Sequence, residues 1–414
     1  MKFIADFHLH SKYSRATSKN MDLENLDRWA NIKGIKVLGT GDFTHPEWFR
    51  NLKEKLEPAE IGLFKLRNSH TGTRFILTTE VSCVYSKGGK IRKVHLVIFA
   101  PSFEVVEKIN TQLGWIGNLK ADGRPILGLD AKELLKIILN ISENCLVVGA
   151  HVMTPWFGIF GSKSGFDSIE ECFEDYSKYI FALETGLSAD PKMLWRIPDG
   201  RRLSLISNSD AHSPSHIGRE ANVFDTELSY PAIIQAIKTK DPQKFLYTIE
   251  FYPEEGKYHY DGHRECNIRL SPKETRKYNG ICPNCGKPLT IGVLNRVEQL
   301  ADRPEGFKPE KVIPFKSLVP LEEIIAEVLG RGRAANQVKK EYQNLIERFD
   351  SEFNILLNVK REDLEKVTLP EIAEGIIRVR EGRVIKEPGY DGVYGKIRIF
   401  SKPEDSFPKQ KTLF

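Results

Sequence analysis

The sequence predicts an α/β protein in which short strands and helices alternate over residues 1–240. The first supporting observation is a series of seven β-rich runs, and the second is the amphipathic pattern at 21–32 and 130–141. The seven runs are 3–7, 36–40, 74–79, 92–99, 145–150, 180–184 and 203–207. Strands joined by helices in this way predict a parallel barrel or a doubly wound sheet.

The rest of the chain changes character after residue 240. Residues 241–305 are rich in tyrosine, proline and glycine and contain a cysteine cluster, so we expect a small zinc-binding segment. Residues 306–400 are predicted to form a mainly helical C-terminal domain, and 401–414 a flexible polar tail. Within the helical domain we expect helices at 321–329, 334–357 and 369–380.

Composition is that of an ordinary globular protein. Of the 414 residues, 40% are hydrophobic and 28% are charged, which is unlike a disordered chain. The net charge of +5 is common among enzymes and does little to favour a nucleic-acid partner. No apolar stretch approaches the length of a membrane span, and the first residues lack the apolar core of a signal peptide, so we expect a cytoplasmic protein.

Residues that commonly bind metals fall at or near the ends of the predicted strands. In chain order they are His8, His10, Asp42, His45, Glu80, His95, His151, Glu184, Asp210 and His212. Because the carboxyl ends of parallel strands meet on one face, we expect these side chains to lie close together. A single histidine is more often structural than a ligand, and His70, His216 and His259 are assigned to that class.

Histidines and carboxylates in one cluster favour a site for two or three divalent cations, either zinc or manganese, iron, nickel or magnesium. In two-metal phosphoesterases the ions lie about 3.5–4 Å apart, activate a water and stabilise the leaving oxygen. We expect His8, His10, Glu80 and Asp210 to be central to catalysis. A carboxylate such as Glu80 can bridge two cations and fix their spacing.

Five short motifs resemble the signature of the polymerase and histidinol phosphatase (PHP) superfamily. They are DFHLHS at 6–11, GDFTH at 41–45, TE at 79–80, GAH at 149–151 and SDAH at 209–212. The resemblance covers about the first 225 residues. It implies a distorted seven-stranded β/α barrel that binds two or three metals and hydrolyses phosphoesters.

The resemblance also implies how the ligands are shared. His8, His10, Glu80 and Asp210 resemble the ligands of a first metal, and Glu80, His95 and His151 those of a second. A third metal would use His45 or Asp42 with His212, together with a ligand that the stretch 14–17 does not offer. Glu184 has two open interpretations, either orienting a ligand histidine or forming a buried ion pair.

A second metal site is predicted by cysteine spacing. The pattern is His263-x2-Cys266-x15-Cys282-x2-Cys285, two short-spaced pairs of the kind that hold structural zinc. His259 competes with His263 for the fourth position. Since four protein ligands would fill a tetrahedral zinc, we expect this ion to stabilise the segment and not to take part in catalysis.

Three further features suggest nucleic acid, each with an ordinary alternative. Trp156, Phe157 and Phe160 follow His151 and suit either a pocket that stacks a nucleobase or the core. Arg331, Arg333, Lys339 and Lys340 suit either phosphate contacts or a solvated helix start. The terminus at 410–414 resembles the start of the peptide that binds the sliding clamp, proliferating cell nuclear antigen.

The order of barrel, zinc segment and basic helical end resembles the endonuclease Q branch of the PHP superfamily. That resemblance implies a DNA repair enzyme that cleaves 5′ of uracil, hypoxanthine, xanthine or an abasic site and leaves a 3′-hydroxyl and a 5′-phosphate. Two alternatives remain open at this point. One is a small-molecule phosphatase of the histidinol phosphatase type, and the other is a non-catalytic DNA-binding accessory protein.

Overall fold

A computed structural model describes residues 1–400. Its strands are β1 (Lys2–Asp6), β2 (Val37–Gly39), β3 (Leu56–Pro58), β4 (Phe64–Leu66), β5 (Arg74–Lys87), β6 (Lys90–Ala100), β7 (Ile126–Leu127), β8 (Leu146–Gly149), β9 (Ala182–Glu184), β10 (Ser204–Ile206), β11 (Ala221–Asp225), β12 (Phe245–Glu250), β13 (Asp261–His263), β14 (Ile268–Leu270), β15 (Phe315–Ser317), β16 (Ile385–Glu387) and β17 (Lys396–Arg398). The tail predicted at 401–414, with the clamp-binding peptide at 410–414, lies outside the described residues.

Helices connect and cover these strands. They are α1 (Leu23–Lys33), α2 (Pro46–Lys55), α3 (Phe103–Gly114), α4 (Ala131–Ile141), α5 (Ile169–Phe173), α6 (Pro191–Leu194), α7 (Pro198–Arg202), α8 (Tyr230–Thr239), α9 (Pro272–Lys277), α10 (Val293–Leu300), α11 (Leu321–Leu329), α12 (Asn336–Phe349), α13 (Glu352–Leu357), α14 (Arg361–Leu364) and α15 (Pro370–Arg380). No helix of the described chain is long and apolar enough to cross a membrane.

The α/β class is confirmed, and the seven predicted strands lie side by side in one sheet. Their order is β10-β9-β8-β6-β5-β2-β1, and the sheet continues through β11, β12 and β15. A bridge between Leu9 and Ala211 joins the chain just after β1 to the chain just after β10. The sheet therefore curls until the two ends of this seven-strand run meet.

One of the seven strands runs against the expected direction. β1, β2, β5, β8, β9 and β10 point the same way, whereas β6 is antiparallel to both of its neighbours. The reason is the tight turn at Gly88 and Gly89, both of which have positive φ, because a short turn joins only antiparallel strands. The expectation that all seven strands are parallel is wrong for β6.

Local sequence signals explain the main helix ends. The side chain of Asp22 accepts a hydrogen bond from the Asn25 amide at the start of α1, and Gly34 ends that helix with positive φ. The single helix predicted at 334–357 is wrong. Asp350 has positive φ and separates α12 from α13, and the Ser351 side chain caps the second helix.

The helical region packs directly on the barrel. Lys33 of α1 donates a 2.6 Å hydrogen bond to Glu352 of α13, and both side chains are buried. Tyr342 of α12 donates to the same carboxylate at 2.6 Å. Strand β15 extends the barrel sheet by pairing in parallel with β12. The helices are thus attached through buried polar contacts as well as through the sheet.

Candidate metal centre

The structure gathers six of the sequence-predicted ligands on the inner face of the sheet. We call them the barrel cluster: His8, His10, Glu80, His95, His151 and Asp210. They form two groups that share Glu80, and within each group the ligand atoms all lie within 4.8 Å of one another. All six are buried except Asp210, whose side chain is partly exposed.

Glu80 faces both groups at once. Its Oε1 lies 2.7 Å from His95 Nδ1 and 3.0 Å from His151 Nε2. Its Oε2 lies 3.5 Å from His8 Nε2 and 3.2 Å from His10 Nε2. One carboxylate therefore presents a different oxygen to each ligand set, which is the geometry of a bridging ligand.

The β5–β6 hairpin explains how Glu80 meets His95. Glu80 lies within the long strand β5, and not at a strand end as the sequence suggested. In the hairpin register His95 pairs with Ser82 and Glu80 pairs with Val97. Residues two apart in a strand share a face, so Glu80 and His95 are diagonal neighbours on the inner face.

The loops that follow β8 and β10 turn sharply and so place His151 and Asp210 on the inner face of the sheet. His151 and Asp210 both have positive φ, a conformation that is uncommon for residues other than glycine. The His151 backbone N–H donates to Glu184 Oε2 at 2.8 Å, which holds that turn in place. The neighbouring Ser209 N–H donates to Asp6 at 3.1 Å and fixes the segment that bears Asp210.

Glu184 lies behind His8. Its two carboxylate oxygens are each 3.0 Å from His8 Nδ1, so Nε2 of the same ring points toward Glu80 and Asp210. Asn208 donates to Glu184 Oε1 at 2.8 Å. Of the two interpretations left open for Glu184, the geometry favours the orienting one. Asn208 was missed by sequence reasoning because an isolated asparagine carries no spacing signal.

Asp42 plays the same part for His10. Its Oδ1 lies 3.0 Å from His10 Nδ1, and its Oδ2 accepts hydrogen bonds from the Ser11 amide and the Ser14 hydroxyl. Because one oxygen contacts His10 and the other holds Ser11 and Ser14, the contacts of Asp42 are those of a residue that orients His10. The set predicted for a third ion is not brought together: no candidate cluster in residues 1–400 contains Asp42, His45 or His212.

The electrostatics of the barrel cluster suit cations. Burial alone would lower the pKa of His8, but the carboxylates of Glu184 and Glu80 raise that pKa well above its usual value. Burial would likewise raise the pKa of Glu80, yet His95 and His8 hold it well below the usual value. The carboxylates thus remain charged, and positive charge close by stabilises them.

Unpaired atoms point to the same conclusion. His8 Nε2, His10 Nε2 and Asp210 Oδ1 are buried and form no hydrogen bond of suitable geometry, although the last two atoms lie 3.1 Å apart. Buried polar atoms without partners are costly, so a set that converges on one point suggests a ligand there. Nitrogen and oxygen donors of this kind fit divalent cations.

A pocket opens directly over the barrel cluster. Its volume is about 450 Å³, within the range of small-molecule sites, and its wall includes His95, His151 and Asp210. Trp156 and Phe157 also line it, and their part in stacking a base stays a prediction. Phe160 is fully buried and does not line the pocket, so its assignment to the pocket is wrong.

Arg124 is a charged pocket residue that sequence reasoning missed. Its Nη1 lies 3.0 Å from Glu80 Oε2, and the guanidinium is partly exposed to the pocket. Burial and the charge of Glu80 act in opposite directions, and the result is a raised pKa for Arg124. The guanidinium is therefore a fixed positive charge beside the ligand cluster. It lies alone in a loop, and no motif spacing marks it in the sequence.

The cysteine cluster ranges from the buried Cys282 to the exposed Cys285. The ligand atoms of His263, Cys266, Cys282 and Cys285 all lie within 4.8 Å of one another. The first pair lies at the end of β13 and in the short 3₁₀ turn after it, and the second pair in a tight turn in which Gly286 has positive φ. Burial favours the neutral thiol of Cys282, but backbone N–H groups of residues 284 and 285 lower its pKa.

His259 is not part of the cysteine cluster. It is buried, stacks on Tyr260 at 5.5 Å between ring centroids, and keeps an unpaired Nδ1. Burial lowers the pKa of His259 to about 4, so the ring is neutral near neutral pH. The geometry therefore selects His263 over His259 as the fourth residue of this cluster.

The basic residues at the start of α12 remain at the surface. Arg331, Lys339 and Lys340 are exposed, and Arg333 is exposed but pairs with Glu323 at 2.6 Å. Gly330 ends α11 with positive φ, so Arg331 and Arg333 lie in the turn between the two helices. These side chains are available to a partner, although one of them is already paired.

Known proteins match this chain over different lengths. The family described as the MJ0043 C-terminal domain matches residues 320–383. The uncharacterized protein MJ0043 of Methanocaldococcus jannaschii is 34% identical over 272 residues, which is 63% of this chain and 33% of that protein. The chain thus spans about a third of that relative. Protein YqxK of Bacillus subtilis is 27% identical over 417 residues, 96% of this chain and 99% of that protein.

Two solved structures match the whole described architecture. The lesion-specific endonuclease Q of Pyrococcus furiosus is 31% identical over 98% of each chain, with a TM-score of 0.86. Endonuclease Q in complex with a 27-mer duplex that has an abasic lesion at the active site is 32% identical over 100% of each chain, with a TM-score of 0.85. The resemblance recognised in the sequence is confirmed by these matches.

Proposed function

This chain belongs to the endonuclease Q family, and we propose that it is a metal-dependent endonuclease that nicks one DNA strand at a lesion. The lesions are deaminated bases (uracil, hypoxanthine and xanthine) and abasic sites. The cut lies on the 5′ side and leaves a 3′-hydroxyl and a 5′-phosphate. The observation that carries the proposal is Glu80, whose two oxygens face two ligand groups on the wall of an open pocket.

Each residue of the barrel cluster has a proposed part. His8, His10, Glu80 and Asp210 hold one divalent cation, and Glu80, His95 and His151 hold a second. When bound, two such cations activate a water and stabilise the departing oxygen. Glu184 and Asp42 keep the ligand nitrogens of His8 and His10 directed inward by holding the opposite ring nitrogens.

Arg124 is the residue best placed to hold the scissile phosphate. It lines the pocket beside Glu80, and a guanidinium offers several donors to phosphate oxygens. While no phosphate is bound, Glu80 satisfies this positive charge. We expect Arg124 to turn toward the substrate when cations take up the charge of Glu80.

The extruded nucleotide is proposed to enter the pocket between the barrel cluster and the aromatic loop. Phe157 packs on His95 with 4.3 Å between ring centroids, and Trp156 stands at the opening. Stacking on aromatic side chains tolerates different bases, which suits an enzyme that accepts several lesions. Deaminated bases pair poorly and so cost less to extrude than normal ones.

The remaining segments are proposed to hold the DNA and to stabilise the fold. Arg331, Arg333, Lys339 and Lys340 contact flanking phosphates. Cys266, Cys282, Cys285 and His263 hold one structural zinc. We also propose that the peptide at 410–414 binds a sliding clamp, and this segment is outside the described residues.

The test uses end-labelled duplexes that differ only in one base: uracil, hypoxanthine, xanthine, an abasic site or normal cytosine. We expect nicking of the damaged strands alone, loss of nicking with a chelator, and recovery on adding divalent cations. Treating the products with phosphatase and with ligase identifies the new ends. Release of phosphate from small phosphomonoesters without nicking would instead indicate a phosphatase and would contradict the proposal.

Two histidine variants provide the matched comparison. His8→Ala removes a buried residue of the barrel cluster, and His70→Ala removes an exposed histidine that precedes β5 and belongs to neither ligand group. We expect the first to abolish nicking and the second to nick at the wild-type rate. Equal rates for both variants would exclude the barrel cluster as the active site.

A further inference from the structure

The last residues of the loop at 115–126, which we call the rim loop, contribute to the wall of the pocket. Asp122, Arg124 and Ile126 of this loop line the pocket. Its first residue, Trp115, is 81% exposed, and Ile116 beside it is exposed as well. Tryptophan is usually largely buried, so this degree of exposure requires a reason.

Trp115 is held on a fixed backbone. Its N–H donates to the Gln112 carbonyl at 3.3 Å, and the N–H of Ile116 donates to the Leu113 carbonyl at 3.0 Å, so both continue the turn that ends α3. Leu113 and two further apolar residues of α3 are buried against the core. The exposed indole is therefore presented by a rigid element and not by a loose loop.

The rim loop folds back onto the pocket edge. A Cβ atom placed on Gly117 would lie 2.6 Å from Leu127 Cδ2 and 3.6 Å from the Ile126 carbonyl oxygen, so the start of the loop touches its end. Ile126 lines the pocket and is 58% exposed, and Trp156 lines it and is 52% exposed. The pocket mouth thus carries large apolar side chains at the surface.

Positive charge accompanies these apolar groups. Arg15 lines the pocket and is largely exposed, and its guanidinium lies 3.3 Å from Asp122 of the rim loop. Lys93 Nζ lies 4.9 Å from the centre of the Trp156 ring. Apolar side chains beside cations, around a pocket, suit a duplex whose bases accept an inserted side chain and whose phosphates bind the cations.

We propose that Trp115 is a wedge that enters the DNA duplex beside the target nucleotide when that nucleotide moves into the pocket. This inference rests on the proposed function. Extruding a nucleotide removes its stacking and leaves a gap, and an inserted aromatic ring restores contacts with the neighbouring bases. A single strand has no such gap to keep open, so Trp115 contributes mainly on duplex DNA.

The experiment compares Trp115→Ala with the wild type on duplexes that carry one uracil or one abasic site, and on the same damaged strands alone. We expect about a tenfold loss of nicking on the duplexes and a change within about twofold on the single strands. Trp115→Phe keeps a ring and retains most of the duplex activity. The fluorescence of 2-aminopurine next to the lesion increases less with Trp115→Ala, because the neighbouring base is less unstacked.

Two matched controls separate the wedge from other effects. Ile61→Ala changes a residue that is 70% exposed at the other end of the barrel and leaves both substrates unaffected. Trp156→Ala changes the pocket itself and slows the duplex and the single strand alike. Equal losses on both substrates for Trp115→Ala, or no loss on either of them, would overturn the wedge. If the wild type nicks neither substrate, the proposed function fails and the wedge fails with it.

Discussion

The barrel cluster and the cysteine cluster both gather histidine with charged ligands, but they are assembled in different ways. The residues of the barrel cluster extend from His8 to Asp210 and are brought together by separate strands. The residues of the cysteine cluster lie between His263 and Cys285 in two short turns. A site made by distant strands can form only when the chain has folded. A site made by two adjacent turns can bind its ion and so help that segment to fold.

The two clusters also differ in what surrounds them. The barrel cluster is buried but lies on the wall of a pocket, and it contains unpaired ligand atoms. The cysteine cluster brings together four candidate ligands and does not line the pocket over the barrel cluster. The first cluster is open to a substrate and the second offers four protein ligands to one ion, and this difference supports the catalytic and the structural role that we propose for them.

The largest expected effect tests whether Glu80 joins the two halves of the barrel cluster. Glu80→Gln keeps the size of the side chain but removes the charge that both groups share. We expect a loss of nicking of about 10³-fold, because bound cations supply several kcal/mol of charge stabilisation. Metal analysis should show that both barrel ions are lost together. Retention of one ion at full occupancy would mean that Glu80 does not bridge.

Glu184→Gln tests the carboxylates that hold the ligand histidines in position. The variant retains the side-chain shape but weakens the contact with His8 Nδ1, which is 3.0 Å from either oxygen. Changes of this kind lower metal affinity about 10–100-fold, so nicking should recover at raised cation concentration. Glu80→Gln should not recover in this way. Failure of added cations to rescue Glu184→Gln would indicate a role other than positioning.

Cys285→Ser tests the opposite expectation for the cysteine cluster. One equivalent of zinc should be lost and the barrel ions retained. Hydrogen exchange should become faster between His259 and Gly292, because the ion supplies the folding energy of that segment. Nicking should fall less than in Glu184→Gln. A loss as large as that of Glu80→Gln would place the cysteine cluster in the catalytic step.

The same contrast explains how much of the molecule was predictable. Cysteine spacing alone identifies Cys266, Cys282 and Cys285, because local ligands need no knowledge of the fold. The barrel ligands became recognisable once residues such as His8 and Asp210 were assigned to strand ends. The way in which the strands bring these ligands together was not predictable. The direction of β6 and the inner position of Glu80 depend on a hairpin register that the sequence pattern does not reveal.

Residues without a spacing signal were the ones placed wrongly or missed. Asp42 is a good ligand by type, and only the structure reveals that one of its oxygens contacts His10 and the other accepts hydrogen bonds from Ser11 and Ser14. Phe160 and Phe157 are indistinguishable in sequence, yet one is core and the other lines the pocket. Arg124 is one arginine in a loop, and its importance follows only from its distance to Glu80.

The smallest expected effect concerns His259, the histidine that does not belong to the cysteine cluster. Burial lowers the pKa of His259 from 6.5 to about 4. Above pH 6.5 the ring is neutral in both folded and unfolded chains; between pH 6.5 and 4 only the unfolded chain takes up the proton. Its contribution to stability is therefore present at neutral pH and is lost as the pH falls through this window.

His259→Gln removes this titration and should leave the zinc content unchanged, unlike His263→Ala. The decrease in unfolding free energy between pH 7 and pH 5 should shrink by about 2 kcal/mol, measured by denaturant unfolding at each pH. The result is read from the change of the unfolding free energy with pH, because a loss of stability that is equal at every pH does not alter this change. Loss of zinc in His259→Gln with retention in His263→Ala would reverse the assignment of the fourth ligand. The cysteine cluster would then reach into the buried part of the segment, and its contrast with the barrel cluster would be weaker.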